Sequence, residues 1–175
     1  MTVSPSLNLA LSLTGSISAT APISGSTSLS ESVNVQSLLQ LLGGTGAGQA
    51  DTVYQATRTI AASSTDTLDL NGVLTDAFGG TVAFLHVKAI VLLAASGNTN
   101  DVTIAPGASN AFNGPFSGTT PAVAVSPGEM FLITKGSGSA VGWTVVAATG
   151  DQLKLANSGA GTSVTYTLFL IGTST

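Results

Sequence analysis

The chain has 175 residues, of which 7% are charged: four Lys or Arg, eight Asp or Glu, and a net charge of −4. An ordinary soluble domain carries about 25% charged residues, so this surface is solvated mainly by hydroxyls and backbone. Four scattered cations (Arg58, Lys88, Lys135 and Lys154) cannot neutralise a run of phosphates or hold an anionic bilayer, which argues against nucleic-acid and membrane-surface roles; the absence of cysteine excludes disulfides, thiolate metal sites and cysteine nucleophiles.

Residues 1–50 contain one charged side chain, Glu31. Leu7, Leu9, Leu11 and Leu13 alternate with polar or small residues, the two-residue period of an extended segment. Ser24, Ser26, Ser28, Ser30 and Ser32 continue that beat. Val33, Val35, Leu38, Leu39, Leu41 and Leu42 then form an apolar cluster. Within it Val35, Leu38, Leu39 and Leu42 have the spacing of about two helical turns. Gly43-Gly44-Thr45-Gly46-Ala47-Gly48 follows, with the composition of a flexible stop. The expectation is an extended N-terminal arm over residues 1–50, with a short helix or turn and a glycine hinge. The alternative leaves residues 1–30 without fixed structure in the isolated chain.

Residues 51–175 read as strands separated by turn chemistry. Candidate strands are Val53 to Ile60, Thr65 to Leu70, Thr81 to Ala95 (one bent strand or two), Asp101 to Ala105, and Ala111 to Phe116. Pro121 to Val125, Glu129 to Lys135, Trp143 to Ala148, Gln152 to Ala156 and Ser163 to Gly172 complete the set. Asn71-Gly72, Pro106-Gly107, Ser126-Pro127-Gly128 and Gly136-Ser137-Gly138 supply the turns. Eight to ten short strands with turns about every 8–12 residues fit an all-β antiparallel sandwich, jelly-roll-like, over 51–175. The final strand carries bulk on both faces, Val164, Tyr166, Leu168 and Leu170 against Phe169 and Ile171. It is therefore expected to be central in its sheet, or to meet a partner chain. No segment reaches the roughly 20 apolar residues of a spanning helix: Val82 to Ala95 is interrupted by His86 and Lys88. Met1 to Pro5 lacks the positive start of a secretory signal.

Little here points to chemistry. His86 is the only histidine and reads as a partly buried structural residue. A Ser-His-Asp hydrolase would need it, and no Gly-x-Ser-x-Gly elbow is present. Asp66 and Asp69 have unlike parity and fall on opposite faces of a strand, so they do not pair as acid and base. Asp76, Asp101 and Asp151 sit at turns, where a carboxylate caps local amides. Loop carbonyls with Asp101 or Asp151 are the candidate calcium ligands, with no calcium-loop motif behind them. The glycine run lacks the Gly-Lys-Ser/Thr ending of a phosphate loop. Trp143 and Phe78, Phe84, Phe112, Phe116, Phe131 and Phe169 read as sandwich core; the alternative is an exposed aromatic platform for sugars. No catalytic residue, metal or cofactor is expected.

Several strings resemble a set of virion proteins from tailed phages and prophages. They are Gly46-Ala47-Gly48-Gln49-Ala50-Asp51, Arg58-Thr59-Ile60-Ala61-Ala62, and Leu68-Asp69-Leu70-Asn71-Gly72-Val73-Leu74-Thr75-Asp76-Ala77-Phe78-Gly79. The resemblance continues through Asn98-Thr99-Asn100-Asp101-Val102, Asn110-Ala111-Phe112 and Gly114-Pro115-Phe116. It ends with Leu153-Lys154-Leu155-Ala156-Asn157-Ser158-Gly159-Ala160-Gly161-Thr162-Ser163-Val164-Thr165-Tyr166. It covers about residues 46–175 and consists of turn-and-strand signatures, not catalytic motifs. It implies a non-enzymatic capsid decoration (cement) protein on the head surface of a virion assembled in the host cytoplasm. The implied partners are the major capsid protein and further copies of the chain, a trimer being favoured. Terminal arms would grip neighbouring capsomers. In this chain the arm residues expected to meet the partner are Leu7, Leu9, Leu11, Leu13, Val33, Val35, Leu38, Leu39 and Leu42. The alternative is a tail or baseplate component that binds a receptor or glycan through loops such as Asn98 to Phe116.

Overall fold

The computed structural model describes residues 7–20, 28–76, 79–118, 120–136, 138–139 and 141–174; for 7–20 and 28–40 the description is of the backbone. Phe78, expected in the core, lies outside the described residues, as do Ser24, Ser26 and Ser137. The elements are all strands: β1 (Leu7–Thr20), β2 (Ser28–Gly43), β3 (Gln49–Ala50), β4 (Thr52–Ile60), β5 (Thr65–Asp69), β6 (Asn71–Thr75) and β7 (Thr81–Ala83). They continue as β8 (His86–Ala94), β9 (Val102–Pro106), β10 (Val123–Val125), β11 (Met130–Thr134), β12 (Trp143–Thr144), β13 (Gln152–Asn157) and β14 (Val164–Thr173).

Two antiparallel sheets form the body. Sheet I has the order β10-β9-β13-β5, and sheet II the order β11-β8-β14-β4, with β12 added on β8. The pairings are nested. Setting aside the small β6–β7 hairpin and β12, the first body strand pairs with the last (β4 with β14) and the second with the one before it (β5 with β13). The third pairs with the sixth (β8 with β11), and the middle two pair with each other (β9 with β10). That is one long antiparallel ribbon folded over on itself, the plan of a two-sheet jelly roll. β14 sits between β8 and β4, which explains why both of its faces carry bulk.

Alternation drives the packing. Tyr54 and Ile60 from β4, Leu68 from β5, Ile90 and Leu92 from β8, Val102 and Ile104 from β9, Leu153 and Leu155 from β13, and Leu168 and Leu170 from β14 fill the space between the sheets. Each such side chain contributes about 1.5–3 kcal/mol of burial. Phe84, Phe112 and Trp143 join this core, and Phe116 and Phe131 pack against it half-buried. Phe169 differs from expectation: its parity puts it on the outer face of sheet II, opposite Val91.

Polar side chains lock the ends. Asn157 is buried and donates to the carbonyls of Ala61 (3.1 Å) and Thr162 (2.7 Å), while its Oδ1 accepts from Gly159 N (3.1 Å) and Asn100 Nδ2 (3.1 Å). Asn98 imitates a strand neighbour for Thr165, donating to its carbonyl (2.9 Å) and accepting from its amide (2.8 Å). At the open edge between the sheets, the Arg58 guanidinium grips Asp66 with two bonds (2.6 and 2.9 Å) and Tyr166 donates to the same carboxylate (2.8 Å). Burial pushes the Asp66 carboxyl up, but the bonds from Arg58 and Tyr166 outweigh it and hold the group below its ordinary value. Burial and the same carboxylate raise the Tyr166 phenol.

Three expectations are corrected. Residues 35–42 belong to strand β2, not to a helix. The spacing of Val35, Leu38, Leu39 and Leu42 fits a helix by coincidence, because apolar residues occur on both faces of the strand there. Ala111 to Phe116 is a loop, not a strand: its one ladder pairing among the described residues is the isolated Ala111–Gln152 bridge, and it reaches the core through Phe112 and Phe116. The strand expected over Trp143 to Ala148 shrinks to β12, since Val146 to Gly150 forms a tight turn closed by bonds to the Val146 carbonyl.

Candidate functional site

β1 and β2 pair antiparallel without interruption, from Leu7↔Leu41 to Thr20↔Ser28. Fourteen residues at about 3.4 Å each make a two-stranded ribbon about 45 Å long. Directly opposed residues share a face. The register therefore places Leu7, Leu9, Leu11 and Leu13 on one face with Val33, Val35 and Leu39. The other face takes Asn8, Ser12, Thr14, Ser16 and Ser18 with Gln40, Gln36, Asn34, Ser32 and Ser30. Leu38 falls on this polar face, opposite Ala10. Leu42 has the same parity and is 56% exposed. Of the nine candidate residues, seven thus share the apolar face and two do not. Two further members, Ile17 and Leu29, belong to the apolar face by register; only the pairing reveals this.

The residue that joins ribbon to body is Leu41. By parity it continues the apolar face, and it is 1% exposed, packed with Ala50, Ala89, Ile171 and Val53. Ala89 and Ile171 lie on the outer face of sheet II, so the apolar face of the ribbon begins on that sheet. β3 pairs parallel to the end of β2, Leu42↔Gln49 and Gly43↔Ala50.

The glycine run between them is not a loose hinge. Leu42 N donates to Gly48 O (2.9 Å), Gly44 N to Ala50 O (3.2 Å) and Gln49 N to Gly46 O (3.2 Å), and Gln49 Oε1 accepts from Gly46 N (2.8 Å). Gly44 has φ +135°, and a Cβ there would strike the Gln49 side chain, so glycine is required. Lys88 completes the arrangement. The pairs Ile171↔Ala89 and Gly172↔Val87 skip it, a β-bulge. Bulges re-aim side chains; here the Lys88 ammonium reaches the carbonyls of Gly46 (2.6 Å) and Gln49 (2.8 Å). Burial lowers the Lys88 pKa, and the negative charge of Asp51 partly opposes the shift. Asp51 in turn ties down the chain end, accepting from Ser174 N (2.8 Å), Ser174 Oγ (2.6 Å) and Thr52 Oγ1 (2.9 Å). Burial pushes the Asp51 carboxyl up; the bonds from Ser174 and Thr52 more than offset this and leave it lowered.

The outer face of sheet II is the other candidate surface. Its β4 and β14 half is a threonine ladder, Thr57 with Thr167 (2.9 Å) and Thr59 with Thr165 (3.1 Å). Its β8 and β11 half is apolar: Val91 stands between Leu132 and Phe169, and Leu93 opposes Met130. Leu93 is 38% and Met130 56% exposed. No charged residue occupies an outward position on these four strands between Gln55 and Thr59, Ala89 and Leu93, Met130 and Thr134, or Thr165 and Ile171.

Groups capable of chemistry are dispersed. Among the described residues no three His, Cys, Asp or Glu are placed to hold a metal ion. Asp101 and Asp151, the two calcium candidates, flank opposite ends of β13: Ser158 Oγ accepts from Asp101 N (2.9 Å), whereas Asp151 directly precedes Gln152. The Asp151 carboxylate caps Ala148 N in the adjacent turn, and Asp76 caps Gly80 N (2.8 Å). His86 is half-buried with Nδ1 3.3 Å from Thr173 Oγ1. A cleft of about 490 Å³ on the outer side of sheet I is lined by small residues such as Ala105, Gly107 and Ala122, with Lys154 as its single ionisable group.

No protein-family model matches the chain, and neither a curated protein nor a solved structure matches it.

Proposed function

We propose that this protein is a virion structural component, a decoration protein that binds the surface of a phage head as a homo-oligomer and secures neighbouring capsomers through its N-terminal ribbon. The observation that carries the reading is the ribbon itself: about 45 Å of amphipathic β-structure, anchored to a compact jelly roll that brings no cluster of reactive groups together among the described residues. Two-stranded ribbons are marginal alone in water, so one of this length makes sense as a grip on other protein chains. Among the described residues its outer strand, β1, pairs with β2 alone, which leaves one edge of backbone N–H and C=O groups open. That edge suits strand addition to a shell subunit, in which main-chain bonds hold and alternate side chains select. Several copies bound side by side would multiply a modest single-site affinity by avidity.

Binding to shells stripped of decoration tests the reading. The full chain is expected to bind, and a form lacking residues 1–45 is expected to fold, because the described inter-sheet core is built from Tyr54 onward, yet not to bind. Equal binding by the two forms refutes the role of the ribbon. The tail or baseplate alternative receives less support. Phe112, in its proposed glycan-binding loops, is buried and Phe116 half-buried, so the stacking platform that sugars need is missing among the described residues.

A further inference from the structure

We infer that the apolar face of the ribbon and the outer face of sheet II are two halves of one contact, made between copies of this chain: the ribbon of one copy lies across sheet II of the next.

Three observations select a second copy as the occupant. The first is a precedent within the chain. Leu41, the innermost residue of the ribbon's apolar face, is already buried against Ala89 and Ile171 on the outer face of sheet II. The ribbon face therefore fits this sheet face chemically, yet Leu93 and Met130 of the same sheet face remain exposed. The second is length. From Leu7 to Leu13, and correspondingly from Leu41 to Val35, the apolar stretch spans about 20 Å at about 3.4 Å per residue. Four strands spaced about 4.8 Å apart make sheet II about 19 Å across, so the apolar stretch covers the sheet once. Glu31, the charged residue on that ribbon face, stands opposite Ile17 and falls beyond the margin, in water. The third is charge. Neither face carries an ionisable group within the contact, so identical chains meet without like-charge repulsion, and nothing on either face selects a charged partner.

The area is sufficient only when both halves are used. Six ribbon positions within that stretch (Leu7, Leu9, Leu11, Leu13, Val35 and Leu39) together with Leu93, Met130, Leu132 and Phe169, at roughly 60–120 Å² of apolar area per buried side chain, supply on the order of 800 Å² per copy. That is the contribution of each partner to a standard stable interface; either half alone falls short. Both halves of a copy enter the same interface only when two copies exchange ribbons, so the closed form is a reciprocal pair. The contact leaves the β1 edge and the hydroxyl-rich face free for a shell. The inference shares with the shell-binding reading the ribbon as gripping element, but it is tested in solution without any shell, so either can fail while the other stands.

The absence of cysteine allows a clean test on the full chain. Sedimentation velocity at about 10 µM, above the micromolar Kd of the weakest interfaces of this size, is expected to show a closed oligomer. The double variant Leu93→Lys with Met130→Lys, at two exposed positions, is expected to keep the wild-type circular dichroism and weaken association by roughly 100-fold. Under oxidation, Leu9→Cys protein mixed with Leu93→Cys protein is expected to give a mixed disulfide between chains. A monomeric wild type, a double variant that sediments as wild type does, or cross-linking that occurs only within one chain when both cysteines are placed together would overturn the inference.

Discussion

Replacing Lys88 by Met isolates the contact that fixes the ribbon to the body. Methionine preserves the buried aliphatic stem and removes the ammonium that bonds to Gly46 O and Gln49 O at 2.6 and 2.8 Å. Lys88 is 1% exposed, so its bonds form in a poorly solvated site. Each bond from a charged donor is worth about 1.5–3 kcal/mol net. Against this stands the cost of burying the ammonium, which methionine does not incur. Gly46 lies at the surface, and its freed carbonyl regains water. The balance is a local loss of about 1–3 kcal/mol, which at about 1.4 kcal/mol per tenfold is roughly 5- to 150-fold in local opening. Amide hydrogen exchange reads it directly. The amides of Leu42, Gly44 and Gln49, bonded within the loop, are expected to lose that much protection, while those of β14 keep theirs. Unchanged protection at these three amides, or an equal loss throughout the core, would refute the reasoning.

Asp66→Asn is expected to destabilise the body by about 1–2 kcal/mol at neutral pH, a figure held down because the Arg58 side chain is 40% exposed. Because the folded Asp66 carboxyl titrates below its ordinary 3.8, its contribution is complete above about pH 4 and is lost as the pH falls through the folded value. Thermal melts of the wild type should therefore drop steeply below pH 4 and those of the variant less so; parallel curves would count against the triad. Asn157→Leu is expected to cost about 2–4 kcal/mol in urea unfolding, since it strands the carbonyls of Ala61 and Thr162; a loss under 1 kcal/mol would show that water replaces the amide. Gly172→Ala would drive a Cβ into the His86 carbonyl at the β-bulge. A melting temperature at least about 2–4 °C lower is expected, as for a loss of 1 kcal/mol or more in a chain of this size, and a wild-type melt would mean that the bulge relaxes.

The jelly roll was legible where a period of two meets clear punctuation. β4, β5, β9, β11, β13 and β14 begin and end within one residue of the stretches expected from Val/Ile/Leu/Thr alternation and from Asn-Gly, Pro-Gly and Ser-Pro-Gly turns. The nested pairing was not legible, because short strands of similar composition carry no label for their partners. The ribbon was legible on its first strand, where leucines alternate with Asn, Ala and Ser. It was obscured on the second, where Leu38 and Leu42 add apolar residues to the polar face and imitate a helix. Ile17 and Leu29 stood too far from neighbouring leucines to be grouped with them until the register paired one strand against the other. Lys88 was least legible of all. Its acceptors lie about forty residues away in sequence, and only a bulge between β8 and β14 aims it at them, so in sequence it reads as a charge interrupting an apolar strand.

The placement of that lysine accounts for how a nearly uncharged chain can carry a long ribbon at all. Two strands alone cannot bury a face, so a ribbon of this kind depends on a second layer. Among the described side chains the second layer is seen at the root, where Leu41 meets Ala89 and Ile171. Hydrophobic contact is non-directional and would let the ribbon slide or swing about that single residue. Hydrogen bonds supply the missing direction: Lys88 and Gln49 fix the loop, Asp51 fixes the chain end beside it, and the bulge at Gly172 lets these elements approach closely. In the contact inferred above, a ribbon held at a defined angle would meet a neighbour's flat sheet with less entropy to lose than a swinging one. Two of the few charges this chain retains, Lys88 and Asp51, thus stand where orientation is set, and the broad faces proposed to meet other chains are left to leucine and threonine.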